Sequence, residues 1–535
     1  MTDSPPGIGT SNIYSQTFNR WKSVYNQLTT TLDAFLAECL HLDSVLKQPG
    51  AQEWSQLEES LIYVDSTLGS LETRVSYTRD ACIILGAVRN RSKSLVPFNR
   101  LPAEIVVHIL SFTDIGCIID HRLDSNETGR PPFPPTTILT VSKGLRDIVV
   151  SAPLLWTHID LPIYEPRTSV CTHYVQSCLR YSGQLPLYVH VADDEDKETE
   201  YTSSSIISLL TPYAHRIVSI SLYLDSVLTG EVVLGLFGNL ASYQAREFYL
   251  DDCTIGRRNP GSSLYDEMFS GYLDGFLRPL QSVTIKGPFP PLQSVAFHGL
   301  TTLRLSPQNP PTPPPTLAQL TSVLTACPEL RTLALFYCRF DTSSRASIEP
   351  VLLPKLELLD LRRAKIDELT ALLSCIIPGS NTLTLSIWAD PYIPENEMIK
   401  LHCFINQFNV KRLYLESYYY AHEERKPLQL LLQTFPALQE LALCDYDLNF
   451  IPVEHPLSTD RFPRLHTLHV LPSCIIDSDN WHKLVGSSAI RVLYTTLGCP
   501  DRETIPKDFP LVKDHDCFST YGGSNRDFEW PLDRS

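Results

Sequence analysis

The chain has 535 residues and a formal net charge of −16, with 43% hydrophobic and 19% charged residues. That is too long for one core, so about two to four domains are expected. The acidic balance disfavours a general nucleic-acid binder, whose phosphate partner calls for basic patches, and equally a binder of anionic membranes.

The start, MTDSPPGIGTSN, lacks the basic stretch and apolar run of a secretory signal. Residues 1–12 read as a disordered tip. From residue 13 to about 95, two seams of apolar residues step by threes and fours. Phe18, Trp21, Tyr25, Leu28, Leu32, Phe35, Cys39, Leu42 and Leu46 form the first. Leu57, Leu61, Val64, Leu68, Leu71, Val75, Thr78, Cys82 and Leu85 form the second, after a break at Pro49-Gly50. This is the heptad pattern of a coiled coil. Two seams joined by a tight turn predict an antiparallel helical hairpin, its first arm about 43 Å long at 1.5 Å per residue. The seams serve either self-association or closure within the chain, and the short turn favours closure.

The longest apolar run, Ala81 to Val88, falls short of the ~20 residues that span a bilayer. The cysteines are scattered with no CxxC pair, and Cys82, Cys375 and Cys403 read as small buried hydrophobes of a reducing compartment. A cytoplasmic or nuclear location is expected, where the sequon Asn126-Glu127-Thr128 stays unglycosylated.

Residues 96–161 form the organising stretch. LPAEIVVHILSF predicts a short helix opened by Pro102, with Ile105, Val106, Ile109 and Leu110 at helical spacing. TILTVSKGLRDIVVSAPLLWTHIDL adds a second apolar face, Leu139, Val141, Leu145, Ile148 and Val149, then a break at Pro153 and a strand-like ending. Two such helices cannot bury both faces alone, so the segment should dock on something else. Taken in order, the two blocks resemble the F-box, and the chain resembles fungal F-box proteins with leucine-rich C-terminal parts. The resemblance implies a module that binds the Skp-type adaptor, and through it a cullin, in an SCF-type ubiquitin ligase. Leu101, Pro102, Ile105, Val106, Ile109, Leu110, Val141, Leu145, Leu155 and Trp156 would form the adaptor-binding set. Two departures stand out: Leu145 occupies the place of the family's common tryptophan, and an insert from Ser111 to Thr137 separates the halves.

From residue 162 to about 500 a repeat appears. Clear copies are LRTLAL from Leu330, LELLDL from Leu356, VKRLYL from Val410, LQELAL from Leu438 and LHTLHV from Leu465. Weaker ones begin at Ile217, Ala245, Leu280, Leu300, Asn381 and Ile490. Spacings of roughly 20–35 residues, with a helical stretch and often a proline before the strand, predict an irregular leucine-rich-repeat solenoid, a horseshoe of α/β class. A doubly wound α/β domain is the competing fold. Val191 to Tyr201 reads as a solvated acidic loop and Ser306 to Pro315 as a proline-rich linker. Residues 501–535 lack the period and read as a cap or tail.

Strand alternation turns Thr332, Ala334 and Phe336 away from the core residues Leu333 and Leu335. The same rule places Arg304, Asp360, Arg362, Arg412, Tyr414, Glu416, Glu440 and His469 on one concave face, a candidate surface for a protein substrate. No phosphate loop, HExxH or GxSxG pattern occurs, and His466 and His469 fall on opposite strand faces. A non-enzymatic chain with no cofactor or metal is expected. The function expected is substrate recruitment for an SCF-type ligase; the alternative is a leucine-rich scaffold without ubiquitin transfer.

Overall fold

In a computed structural model the chain divides into two units, Met1–Asn99 and Arg100–Ser535. The structure describes residues 10–46, 54–90, 97–112, 135–162, 168–192, 203–224, 226–238, 244–252, 274–287, 289–307, 314–343, 348–388, 405, 407–410, 411–416, 435, 437–444, 465–470, 490–495 and 512–514. The body of the Ser111–Thr137 insert, most of the acidic loop, the centre of the proline-rich stretch and Cys403 lie outside the described residues.

The first unit holds two helices of equal length, α1 (Thr10–Leu46) and α2 (Trp54–Asn90). Helix α1 begins inside the stretch expected to be a tip. The closure expected between the seams is not what the structure holds. Phe18, Trp21, Tyr25, Leu28, Leu32, Phe35 and Leu42 of α1 are exposed, as are Leu68, Val75, Cys82 and Leu85 of α2. Cys82 is therefore no buried hydrophobe, whereas Cys375 is buried. Only Val64 and Leu71 of the seams reach intermediate burial among the described residues. Phe18 stacks on Trp21 with ring centroids 5.7 Å apart, and Trp21 on Tyr25 at 5.5 Å.

The second unit opens with α3 (Ala103–Phe112) and α4 (Lys143–Val150). Ser142 caps α4 by accepting a hydrogen bond from the Leu145 N–H at 3.1 Å. A 3-10 turn, Pro153–Trp156, follows and leads directly into the first strand.

The strands are β1 (His158–Pro162), β2 (Leu187–Ala192), β3 (Ile217–Leu224), β4 (Glu247–Asp252), β5 (Ser282–Gly287), β6 (Thr302–Pro307), β7 (Thr332–Leu335), β8 (Val351–Leu353), β9 (Leu358–Leu361), β10 (Ile376–Pro378), β11 (Leu383–Trp388), β12 (Val410–Glu416), β13 (Glu440–Cys444), β14 (Thr467–Val470), β15 (Val492–Thr495) and β16 (Val512–Asp514). All but β8 and β10 join one 14-stranded sheet, which runs from β1 to β16 in sequence order without closing into a barrel. Every pairing in it is parallel. The order has none of the reversal that defines a doubly wound sheet. Strands β8 and β10 pair with each other in a second, parallel sheet. The fold is thus α/β, a helical region followed by a large open parallel sheet.

Register explains why the repeat motif makes this sheet. One row of matched residues runs Ile159, Val189, Ile220, Phe248, Val283, Leu303, Leu333, Leu359, Leu385, Leu413, Leu441, Leu468 and Leu493, and all are buried. Each side chain stacks on the next across the ~4.8 Å between strands, so burial that no single repeat provides becomes continuous. At about 1.5–3 kcal/mol per fully buried aliphatic side chain, this row is a principal source of stability. The helix Leu317–Thr325 shows how a connection is fixed: Thr316 and Gln319 form a reciprocal capping box.

Four strands depart from the sequence reading: β8 and β10, which match no copy of the repeat and pair only with each other, and β2 and β16. Strand β2 carries no copy of the repeat motif, because LYVHVA offers only alternating apolar residues. Strand β16 lies in the stretch expected to be a cap or tail and extends the sheet by pairing with β15.

Candidate functional site

Two surfaces come from the sequence expectations. The first is the α3–α4 module. Val106 of α3, Val149 of α4, and Leu155 and Trp156 of the 3-10 turn are buried together with Leu110. The Trp156 indole Nε1 donates to the Val149 carbonyl at 2.8 Å, and its ring lies 4.8 Å from that of Tyr181 on the helix Thr168–Tyr181. Trp156 therefore fastens the module to the start of the sheet.

The ten expected adaptor-binding residues separate accordingly. Leu101, Pro102, Ile105, Ile109 and Val141 are exposed. Leu145 is half-buried. Val106, Leu110, Leu155 and Trp156 are buried within the chain, where they hold the module together. The reason is the width of the apolar stripe. Ile105 and Ile109 fall on one edge of α3, and Val106 and Leu110 on the other, and only the second edge meets α4 and the turn. Leu154 is exposed and was missed. Its signal was available in Pro-Leu-Leu-Trp, where a 3-10 turn points two successive leucines in different directions.

The second surface is the sheet face opposite the core row. Matched positions there run Asp160, His190, Ser221, Tyr249, Thr284, Arg304, Ala334, Asp360, Ser386, Tyr414, Ala442, His469 and Tyr494. The expected residues do share this face, but they are not equally open. Asp360, Arg362, Tyr414, Glu416 and His469 are buried. The other three, Arg304, Arg412 and Glu440, are only partly covered. Neighbours on strands so closely spaced shield one another once they pair.

The pairing is specific. Arg362 Nε donates to both Asp360 carboxylate oxygens at 3.0 Å, and its Nη2 donates to Oδ2 at 2.7 Å. The guanidinium carbon also lies 5.2 Å from the Phe336 ring centroid and 5.1 Å from that of Tyr414, a cation–π sandwich. Arg363 Nε donates to Glu416 Oε1 at 3.0 Å and its Nη1 to the Tyr337 hydroxyl at 2.7 Å. Tyr337 and Arg363 follow β7 and β9 at equivalent places, and both have left-handed backbone, with φ of 55° and 64°. That conformation costs a side-chain-bearing residue about 1–3 kcal/mol, and the hydrogen bonds offset it. Burial holds the Tyr414 phenol well above its ordinary pKa, so it stays protonated. His469 stacks on Tyr494 at 4.5 Å, with the rings 5° from parallel.

Arg304, Arg412 and Glu440 are brought together around a cavity of about 650 Å³. Thr332, Glu357, Leu358, Thr382, Leu383, Thr384, Lys411 and Gln439 complete its lining. Arg412 Nε pairs with Glu440 at 3.3 Å, and Glu357 with Arg331 at 2.8 Å. Among the described residues, Arg304 and Lys411 have no ion-pair partner. The lining residues missed by the strand rule are Glu357, Thr382, Lys411 and Gln439. Glu357, Lys411 and Gln439 stand at the second position of their repeat motifs, as in Leu356-Glu357 and Val410-Lys411, one residue ahead of the alternation that was read, and Thr382 stands two residues ahead of Thr384, which pairs with Leu358. A comparison of the second-position column across repeats would have found the first three.

Among the described residues no group of three or more His, Cys, Asp or Glu side chains could hold one metal ion. Among them, too, no helix is long and apolar enough to cross a membrane. No family model matches the chain, and a search of curated proteins returns no match.

Proposed function

We propose that this chain is the substrate-recruiting subunit of an SCF-type ubiquitin ligase. The α3–α4 module docks on the Skp-type adaptor, and the strand array, read as a leucine-rich solenoid, holds a protein substrate on its concave face. The chain catalyses no step in this reading; it raises the effective concentration of a substrate lysine near a charged ubiquitin carrier.

The observation that carries the reading is the division of the module's apolar residues. One set builds a small core with Trp156, and Leu101, Pro102, Ile105, Ile109, Val141 and Leu154 remain exposed on a module that is itself fastened to the sheet. Exposed large apolar residues concentrated on one small module are what a protein-binding surface requires. On the substrate side, the polar cavity around Arg304, Lys411 and Arg412 suits an acidic segment of a bound protein, since among the described residues only Arg412 of these three cations has an ion-pair partner.

The test is a pull-down of the purified chain with a Skp-type adaptor, wild type against Leu101→Ala/Pro102→Ala. Capture that the double variant abolishes supports the reading. A folded wild-type chain that captures no adaptor refutes it, and a leucine-rich scaffold without ubiquitin transfer becomes the better description.

A further inference from the structure

We propose that α1 is a self-association element, whose occupant is α1 of a second copy of this chain, packed antiparallel. The inference is independent of the ligase reading.

The first argument is area. Phe18, Trp21, Tyr25, Leu28, Leu32 and Phe35 lie on one stripe of α1 and are 41–61% exposed. With Val24, Leu36, Leu42 and Val45 beside them, that leaves on the order of 900 Å² of apolar surface, against about 800 Å² that each partner buries in a standard interface. Phe18, Trp21 and Tyr25 already stack on one another, so little side-chain freedom is lost on docking.

The second argument is register. The α1 seam steps 3, 4, 3, 4 forward from Phe18 and 3, 4, 3, 4 backward from Leu42. An antiparallel pair therefore matches every layer: Phe18 with Leu42 of the second copy, Trp21 with Cys39, Tyr25 with Phe35, Leu28 with Leu32.

Register alone does not choose the partner, because α2 matches α1 equally well, and charge decides. In the antiparallel α1 pair, the positions flanking the seam set Lys22 beside Asp43 of the second copy, twice by symmetry. Closure of α1 on α2 sets Phe18 against Leu85 and Trp21 against Cys82, which by the same flanking spacing places Asp43 beside Asp65, a like-charge pair, and Lys22 beside the uncharged Gly86. A parallel α1 pair sets Glu38 beside Asp43, again like charges. Only the antiparallel homotypic pair brings opposite charges together.

Light scattering on the eluting full-length chain tests this. The expected mass is twice 60.3 kDa. Leu28→Glu/Leu32→Glu should give the monomer mass while the sheet's thermal transition stays unchanged, which separates lost association from misfolding. Lys22→Glu should weaken the dimer on the order of ten-fold at low salt, and Lys22→Glu/Asp43→Lys should restore it, because the exchanged charges meet again only in the antiparallel homotypic pair. A monomeric wild type at about 100 μM would overturn the proposal. So would a dimer indifferent to Leu28→Glu/Leu32→Glu, or a charge exchange that fails to rescue.

Discussion

Asp360→Ala is the most informative single change on the open face of the sheet. Asp360 and Arg362 are both buried, and Arg362 directs Nε and Nη2 at the Asp360 carboxylate from 2.7–3.0 Å. Removing the carboxylate takes from a guanidinium buried between Phe336 and Tyr414 the carboxylate that it holds with two of its nitrogens. Breaking a buried pair in this way costs about 3–5 kcal/mol, far more than the pair contributes over an apolar replacement. A 535-residue chain of two units is no two-state system, so the cost is best read locally. Hydrogen–deuterium exchange followed on peptides covering β9 and β12 should accelerate by roughly two to more than three powers of ten. Asp360→Leu/Arg362→Met, which removes both charges, should recover most of the protection. If Asp360→Ala changes exchange by less than about five-fold, roughly 1 kcal/mol, the pair does not hold this part of the sheet and the reasoning fails.

Three further outcomes follow from the packing. Trp156→Ala should destabilise the α3–α4 module by about 3–5 kcal/mol, through loss of a fully buried indole and of its bond to the Val149 carbonyl; Trp156→Phe should cost less, and limited proteolysis of residues 103–156 reports both. Gly379→Ala should cost about 1–3 kcal/mol, as overpacking does: a Cβ there would collide with the Pro354 carbonyl oxygen, a backbone atom that cannot turn away, and a lower thermal midpoint is the readout. His190 is pushed down to about 4 by burial first and by nearby His158 second. Its folded pKa lies below the ordinary 6.5, so it contributes stability above pH 6.5 that is lost as pH falls from there towards 4. Exchange protection of β1 and β2 should decline over that window, and His190→Gln should flatten the decline relative to wild type.

Much of the strand array was legible because its signal is repeated. A leucine two places from a leucine, with a helix before it, recurs often enough that even the weak copies at Ala245 and Asn381 fall on strands. What escaped lacked the motif: β2 has alternation only, and Val351–Leu353, Ile376–Pro378 and Val512–Asp514 are too short to show a period. The open face was half legible. Alternation assigned Asp360, Arg362 and Tyr414 to the correct side, but their burial depends on which residues stand beside them on neighbouring strands, and that is set by register between repeats far apart in sequence. Lys411 and Glu357 were missed because the alternation rule begins one residue too late to count them. In the module, helical periodicity found the apolar stripe but could not divide it, since which edge is covered depends on where the turn at Pro153–Trp156 packs. On α1 the heptad pattern was clear, yet a seam that fits α2 and a second copy equally well does not name its partner.

The central claim is that the exposed apolar residues of the α3–α4 module bind a Skp-type adaptor. Calorimetric titration of the full-length chain with purified adaptor, in wild type and in Ile105→Glu/Val141→Glu, tests it most directly. The account predicts saturable one-to-one binding to wild type, weakened at least about 100-fold by the double variant, with its thermal unfolding unchanged because both positions are exposed. A folded wild-type chain that gives no binding heat and no adaptor co-elution, or one whose affinity ignores the double variant, contradicts the account.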